Sequence, residues 1–134
     1  MAKFSMTKQQ FINQWLRHFA PGLSKDQFEK YVKGQYIWHV FSCDLIPCDG
    51  LLTGDEARRA FDEADKSHCI CCDLYNGGGV SDRLLPRLAT AREVEALCEC
   101  YVVAGDYSWT YIKTHEGDLC GPYFVKRGID YGKR

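Results

Sequence analysis

The sequence predicts an α+β fold: a mixed β-sheet of about four to five strands, with N-terminal helices and a crossover helix packed on it. Three observations carry that prediction. Apolar residues near the N-terminus recur at helical spacing, two strand-like runs flank a helical segment, and Cys100 to Phe124 folds back on itself around Gly105-Asp106.

The first helix is predicted from Lys8 to about His18. Thr7-Lys8-Gln9-Gln10 matches a capping box, and Phe11, Ile12, Trp15, Leu16 and Phe19 then share one face. Pro21-Gly22 ends it. Ser24-Lys25-Asp26-Gln27 starts a second, short helix carrying Phe28, Tyr31 and Val32, with Gly34 placed as its stop. Tyr36 to Cys43 is aromatic and β-branched on both alternating sets, which predicts an inner strand covered on both faces.

Pro47 to Gly54 reads as a loop, and Thr53-Gly54-Asp55-Glu56 as a third capping box opening a helix through Ala57, Ala60, Phe61 and Ala64. His68 to Tyr75 is a further strand, so strand, helix and strand predict a parallel, right-handed crossover unit. Asn76 to Gly79 is the loosest segment. Asp82 to Leu88 suits a short edge strand broken by Pro86, and Thr90-Ala91-Arg92-Glu93 caps a helix to about Leu97.

In the hairpin, Gly105-Asp106 fits a two-residue type II′ turn. That turn sets Val103 opposite Ser108, Val102 opposite Trp109 and Cys100 opposite Tyr111. By alternation Cys100, Val102, Trp109 and Tyr111 form a core face, and the opposite face is apolar enough to need cover, so the hairpin belongs at the centre of the sheet. Pro122 to Lys126 gives a last strand, and residues 127–134 a polar tail. Residues 1–134 are thus one domain, with 46% hydrophobic and 26% charged residues.

Composition excludes several classes. Seventeen basic against eighteen acidic residues, neither gathered into a run, argue against nucleic acid. No stretch approaches the roughly 18 consecutive apolar residues of a membrane helix. Met1 to Met6 lacks a signal-peptide core, which places the chain in the cytoplasm and keeps its eight cysteines reduced. Cys43, Cys69, Cys71, Cys98 and Cys100 lie in apolar runs and read as small buried hydrophobes.

Trp38-His39 with Phe41-Ser42, Glu56-Ala57 with Ala60-Phe61-Asp62, Trp109-Thr110-Tyr111, Thr114-His115-Glu116 and Gly121-Pro122-Tyr123-Phe124 together span most of the chain. In these motifs it resembles a family of small single-domain bacterial proteins of unknown function. The resemblance implies a bacterial cytosolic protein with no assigned activity and carries over no catalytic or ligand residue. The segment Cys69 to Cys72 departs from the family pattern.

Three constellations bear on chemistry. His115 and Cys120 flank a turn, and a Cys–His nucleophilic pair there could use Glu116 or Asp118 as its orienting group. The competing reading is a strand end that hydrogen-bonds the loop before Gly121-Pro122. Zinc is disfavoured, since the C-x-x-C spacing of structural sites is absent and Cys69 and Cys71 on a strand would stand roughly 6.5 Å apart. A mixed site from His39, Cys43, Cys48, His115 or Cys120 is the remaining arrangement. Trp38, His39, Trp109, His115 and Tyr123 could line a small-molecule pocket, but alternation favours core.

The functional locus expected is therefore Thr114, His115, Glu116, Asp118 and Tyr123, with His39 as a neighbour, because a strand end presents titratable groups on a rigid support. Histidine there can exchange protons or switch a contact. The expected function is a non-enzymatic protein-binding module of the regulatory or immunity type whose partner is another protein, with no cofactor, metal, nucleic acid or membrane. The alternative is a small hydrolase or transferase using His115 with Cys120 or Glu116.

Overall fold

The computed structural model describes residues 6–33, 37–43, 45, 50–73, 79–116 and 121–126. Six strands form one sheet in the order β1-β6-β5-β4-β2-β3: β1 (Leu52–Thr53), β2 (Cys69–Cys72), β3 (Val80–Ser81), β4 (Cys100–Ala104), β5 (Trp109–Lys113) and β6 (Tyr123–Lys126). Every neighbouring pair is antiparallel, so the α+β class holds but the sheet is neither mixed nor limited to five strands.

Helices cover both faces. On one, α1 (Lys8–Phe19) starts at the Thr7–Gln10 capping box and buries Phe11, Trp15 and Phe19. The indole of Trp15 donates to the Thr110 hydroxyl at 3.0 Å, which pins α1 to the middle of β5 while satisfying a fully buried N–H. The Ser24–Gln27 capping box opens α2 (Lys25–Gln27), which widens into a π-helical turn over Phe28–Val32. These elements pack on Ile70, Cys72, Tyr101, Val103, Ile112, Tyr123 and Val125.

Within the predicted inner strand at Tyr36 to Cys43, whose first residue lies outside the described ones, there is instead a short helix, α3 (His39–Ser42), on that same face. Ile37, Trp38, Val40 and Phe41 are all buried. A helix of a single turn, in which Val40 and Phe41 are buried and Ser42 is exposed, is too short to show an apolar stripe, and its aromatic and β-branched content then imitates a strand.

On the other face lie α4 (Gly54–Glu63) and α5 (Ala91–Val94), closing over Cys69, Cys71, Cys100, Val102, Trp109, Tyr111 and Phe124. Phe61 of α4 stacks flat on Tyr111, centroids 4.2 Å apart and planes 8° off parallel. No side-chain cap forms at Thr53; the Gly54 N–H goes to the Pro122 carbonyl at 3.2 Å. Thr90 does cap α5, accepting from the Glu93 N–H at 3.2 Å, but that helix stops at Val94 rather than Leu97. A crossover helix exists all the same: successive antiparallel pairings leave β1 and β2 pointing the same way on either side of β6, β5 and β4, and α4 joins them. The expected edge strand over Asp82 to Leu88 is replaced by β3 just before it and a 3-10 turn at Pro86–Leu88.

The hairpin is central, as alternation predicts, and each face is assigned correctly, but the register is two residues off. Val103 faces Thr110, Val102 faces Tyr111 and Cys100 faces Lys113, around a longer turn. Gly105 is not the residue at positive φ; Tyr107 is, at 61°. Gly105 serves close approach instead, donating its N–H to the His68 carbonyl at 2.8 Å, where an added Cβ would sit 3.1 Å from the Cβ of His68. Trp15, Trp38 and Trp109 are all core.

Among the described cysteines, Cys69, Cys71, Cys72 and Cys100 are buried. Cys43 and Cys98, expected to be buried, are exposed, since one follows α3 and the other precedes β4. Gly34, Cys48, Asn76 to Gly78 and the tail at 127–134 lie outside the described residues.

Candidate functional site

β5 ends at Lys113, and the chain turns through Thr114, His115 and Glu116. Thr114 is fully buried, and its hydroxyl accepts from the Glu116 N–H at 3.2 Å, a local bond that shapes the turn. The consequence is that His115 faces outward at a fixed place, with 33% of its side chain exposed.

Beneath it lies a residue that the sequence reading did not single out. Glu99, at the start of β4, is 1% exposed. Its Oε1 lies 2.8 Å from Nδ1 of His115, and its Oε2 accepts from the Tyr101 hydroxyl at 2.9 Å. A carboxylate only accepts, so Nδ1 carries the hydrogen and Nε2 is the outward nitrogen. Glu116 approaches from the solvent side, its Oε2 3.6 Å from Nε2. The imidazole thus stands between a buried and an exposed carboxylate.

Lys113, at the same end of the sheet, sends its ammonium to the Leu97 carbonyl at 2.6 Å and the Cys98 carbonyl at 3.4 Å, tying the approach to β4 onto β5. Burial of this kind needs such partners, because an uncompensated charge in a dry site is costly.

His39 does come near, from a helix rather than a strand. Its Nδ1 lies 2.8 Å from the Tyr31 carbonyl, and its ring meets Trp38 edge-on at 4.7 Å. Trp38 in turn meets His115 edge-on at 5.8 Å, so the indole touches both histidines. Tyr123 is placed by its strand. It lies in the core on the α1 side, opposite Ile112 and against Phe41 at 5.3 Å. Asp118 and Cys120 lie outside the described residues.

The buried thiols are chemically quiet. Burial pushes Cys69 up to about 11 and Cys71 up to about 12 from an ordinary 9.0, and pushes Cys100 up further. They remain thiols, not thiolates, at neutral pH. Among the described residues no three His, Cys, Asp or Glu side chains are grouped to hold a metal ion, and no helix is long and apolar enough to cross a membrane.

A small α+β protein with a buried carboxylate supporting a surface histidine is the class that fold and site define. Residues 1–124 match the family described as a domain of unknown function, DUF4275, and the chain belongs to that family. No curated protein and no solved structure matches it.

Proposed function

We propose that this chain is a non-enzymatic protein-binding module, of the regulatory or immunity type, that meets its partner protein through the surface at the end of β5 with His115 at its centre. The observation that carries this reading is the 2.8 Å bond from His115 to the buried Glu99. It fixes a polar, partly exposed group before any partner arrives, and preorganised side chains lower the ordering cost of binding. The balanced charge of the chain, net −1, favours a protein partner over nucleic acid. A cleft lined by Glu63, His68, Gly105 and Trp109 opens at the opposite, hairpin-turn end of the sheet, where a substrate would not meet His115.

A second reading is a small hydrolase or transferase. A carboxylate bound to Nδ1 is the arrangement that orients a histidine general base, leaving Nε2 to take a proton. Glu116 or Cys120 would then supply the second group.

Affinity capture with the intact chain, its His115→Gln variant and a remote Arg59→Gln control, followed by affinity measurement on the protein identified, tests both. Glutamine can still donate to Glu99, so the fold is kept. Weakening of roughly tenfold or more by His115→Gln and no effect of Arg59→Gln is expected, as for a central contact residue. Equal affinity for all three proteins refutes the binding reading. An ester or amide hydrolysis activity abolished by His115→Gln would establish the second.

A further inference from the structure

On the α4 side of the sheet the cover comes in two unlike pieces. α4 is a ten-residue helix with Phe61 stacked on Tyr111. The other piece, residues 84–97, holds the 3-10 turn at Pro86–Leu88 and the single helical turn α5, neither long enough to stand without tertiary support. Leu88, Ala91 and Val94 are its buried side chains.

Both ends of this segment are anchored. Just before it, the Ser81 hydroxyl at the end of β3 accepts from the Arg83 N–H at 3.2 Å. At its finish, the Lys113 ammonium holds the Leu97 and Cys98 carbonyls. Between these anchors polar ties run to α4 and β2. The Ala91 N–H donates to Asp62 Oδ1 at 2.8 Å, Arg58 Nε donates to Glu95 Oε2 at 3.0 Å, and a backbone hydrogen bond from Leu85 reaches the Cys71 sulfur.

Beneath the segment lies a hydroxyl that its burial does not serve. Tyr111 is fully buried, and its hydroxyl has no hydrogen-bond partner among the described residues. Burial pushes the phenol above its ordinary value, and the charges of Glu95 and Arg58 act on it next, which places the hydroxyl under the tie between α5 and α4. Cys100, also fully buried, lies close by. A sealed donor without an acceptor weakens the closed form, because water satisfies it as soon as the cover lifts. Phenylalanine would make the same stack on Phe61 without that cost, so the hydroxyl is a built-in bias toward opening.

We propose that residues 84–97 are a strap that opens as a unit between its two anchored ends, bringing the Tyr111 hydroxyl and the Cys100 thiol to solvent while the sheet, α1 and α4 stay folded. The strap is a gate on the reactivity of an otherwise inert thiol, and the hydroxyl sets how readily it opens.

The test is iodoacetamide labelling of the intact chain at several low urea concentrations, read by peptide mass spectrometry at Cys100 and at Cys72, which packs on the opposite, α1 face. Cys100 is expected to label after the exposed Cys43 and Cys98 but roughly tenfold or more before Cys72, at a rate nearly flat in urea, since a strap exposes little surface when it opens. Tyr111→Phe should slow Cys100 roughly tenfold by removing the unmet hydroxyl, and Asp62→Ala should speed it severalfold by releasing Ala91. Thr7→Ala removes the cap of α1 and separates the strap from the rest: Cys72 should label severalfold faster and Cys100 at its former rate. Labelling of Cys100 in step with Cys72, both in urea and in Thr7→Ala, overturns the strap, and an unchanged Cys100 rate in Tyr111→Phe overturns the role of the hydroxyl.

Discussion

Replacing His115 with alanine strips a buried carboxylate of its best partner. Glu99 keeps the Tyr101 hydroxyl at 2.9 Å and the backbone N–H of residue 115 at 3.4 Å, but loses the imidazole at 2.8 Å. Leaving a buried acceptor without its donor costs about 1–3 kcal/mol, and the imidazole here is 33% exposed, so water enters once it is removed and the expected cost is about 2 kcal/mol. Glu99→Gln alone should cost about 1 kcal/mol, because the amide oxygen can still accept from Nδ1. The diagnostic species is the double variant, which has no buried charge left to orphan. It should cost less than the two single changes added together, by about 1 kcal/mol or more. Urea melts of all four proteins at neutral pH supply the cycle. Costs that add to within about 0.5 kcal/mol would mean that Glu99 and His115 do not support one another, and the account of the site as a preorganised pair would be wrong.

Three further outcomes are expected. Trp109→Ala should destabilise by about 3–5 kcal/mol in denaturant melts, since it removes a ring packed between Phe61 and Phe124; a neutral result would contradict its place in the core. Under native conditions a small alkylating reagent should modify Cys43 and Cys98 well before Cys69, Cys71, Cys72 and Cys100, read by peptide mass mapping; early loss of Cys71 or Cys100 would contradict their burial. Stability should also fall in alkali. The unfolded thiols ionise from about pH 9 while Cys69 and Cys71 stay protonated to about 11 and 12, so the unfolded state binds fewer protons. The thiol contribution is complete below pH 9 and is lost above it, by up to about 1.4 kcal/mol per pH unit for each thiol. A urea midpoint that stays flat from about pH 8 to 10.5 would refute it.

The functional reading turned on one local error of register. Alternation alone assigned the two faces of β4 and β5 correctly, because a slip of two residues leaves every side chain on its own face. Faces were therefore legible while neighbours were not. A type II′ turn at Gly105-Asp106 sets Glu99 opposite Ile112, inside the sheet, where a carboxylate has no evident use. The observed pairing of Cys100 with Lys113, extended by one step, sets Glu99 opposite Thr114 and so beside His115. What moved the register is tertiary: Gly105 gives its N–H to His68 of a different strand connection, and Tyr107 takes the left-handed conformation that a sequence reading assigns to glycine. The same limit explains α3, a single turn whose Val40 and Phe41 pack into the core and which is too short to leave a periodicity in the residues themselves. A signal was nonetheless present at Glu99. A single carboxylate between Cys98 and Cys100, in a run leading into an apolar strand, faces the same way as Tyr101, and a buried acid beside a hydroxyl calls for a cationic or donor partner. At the open end of the β4–β5 pair, His115 fills that need.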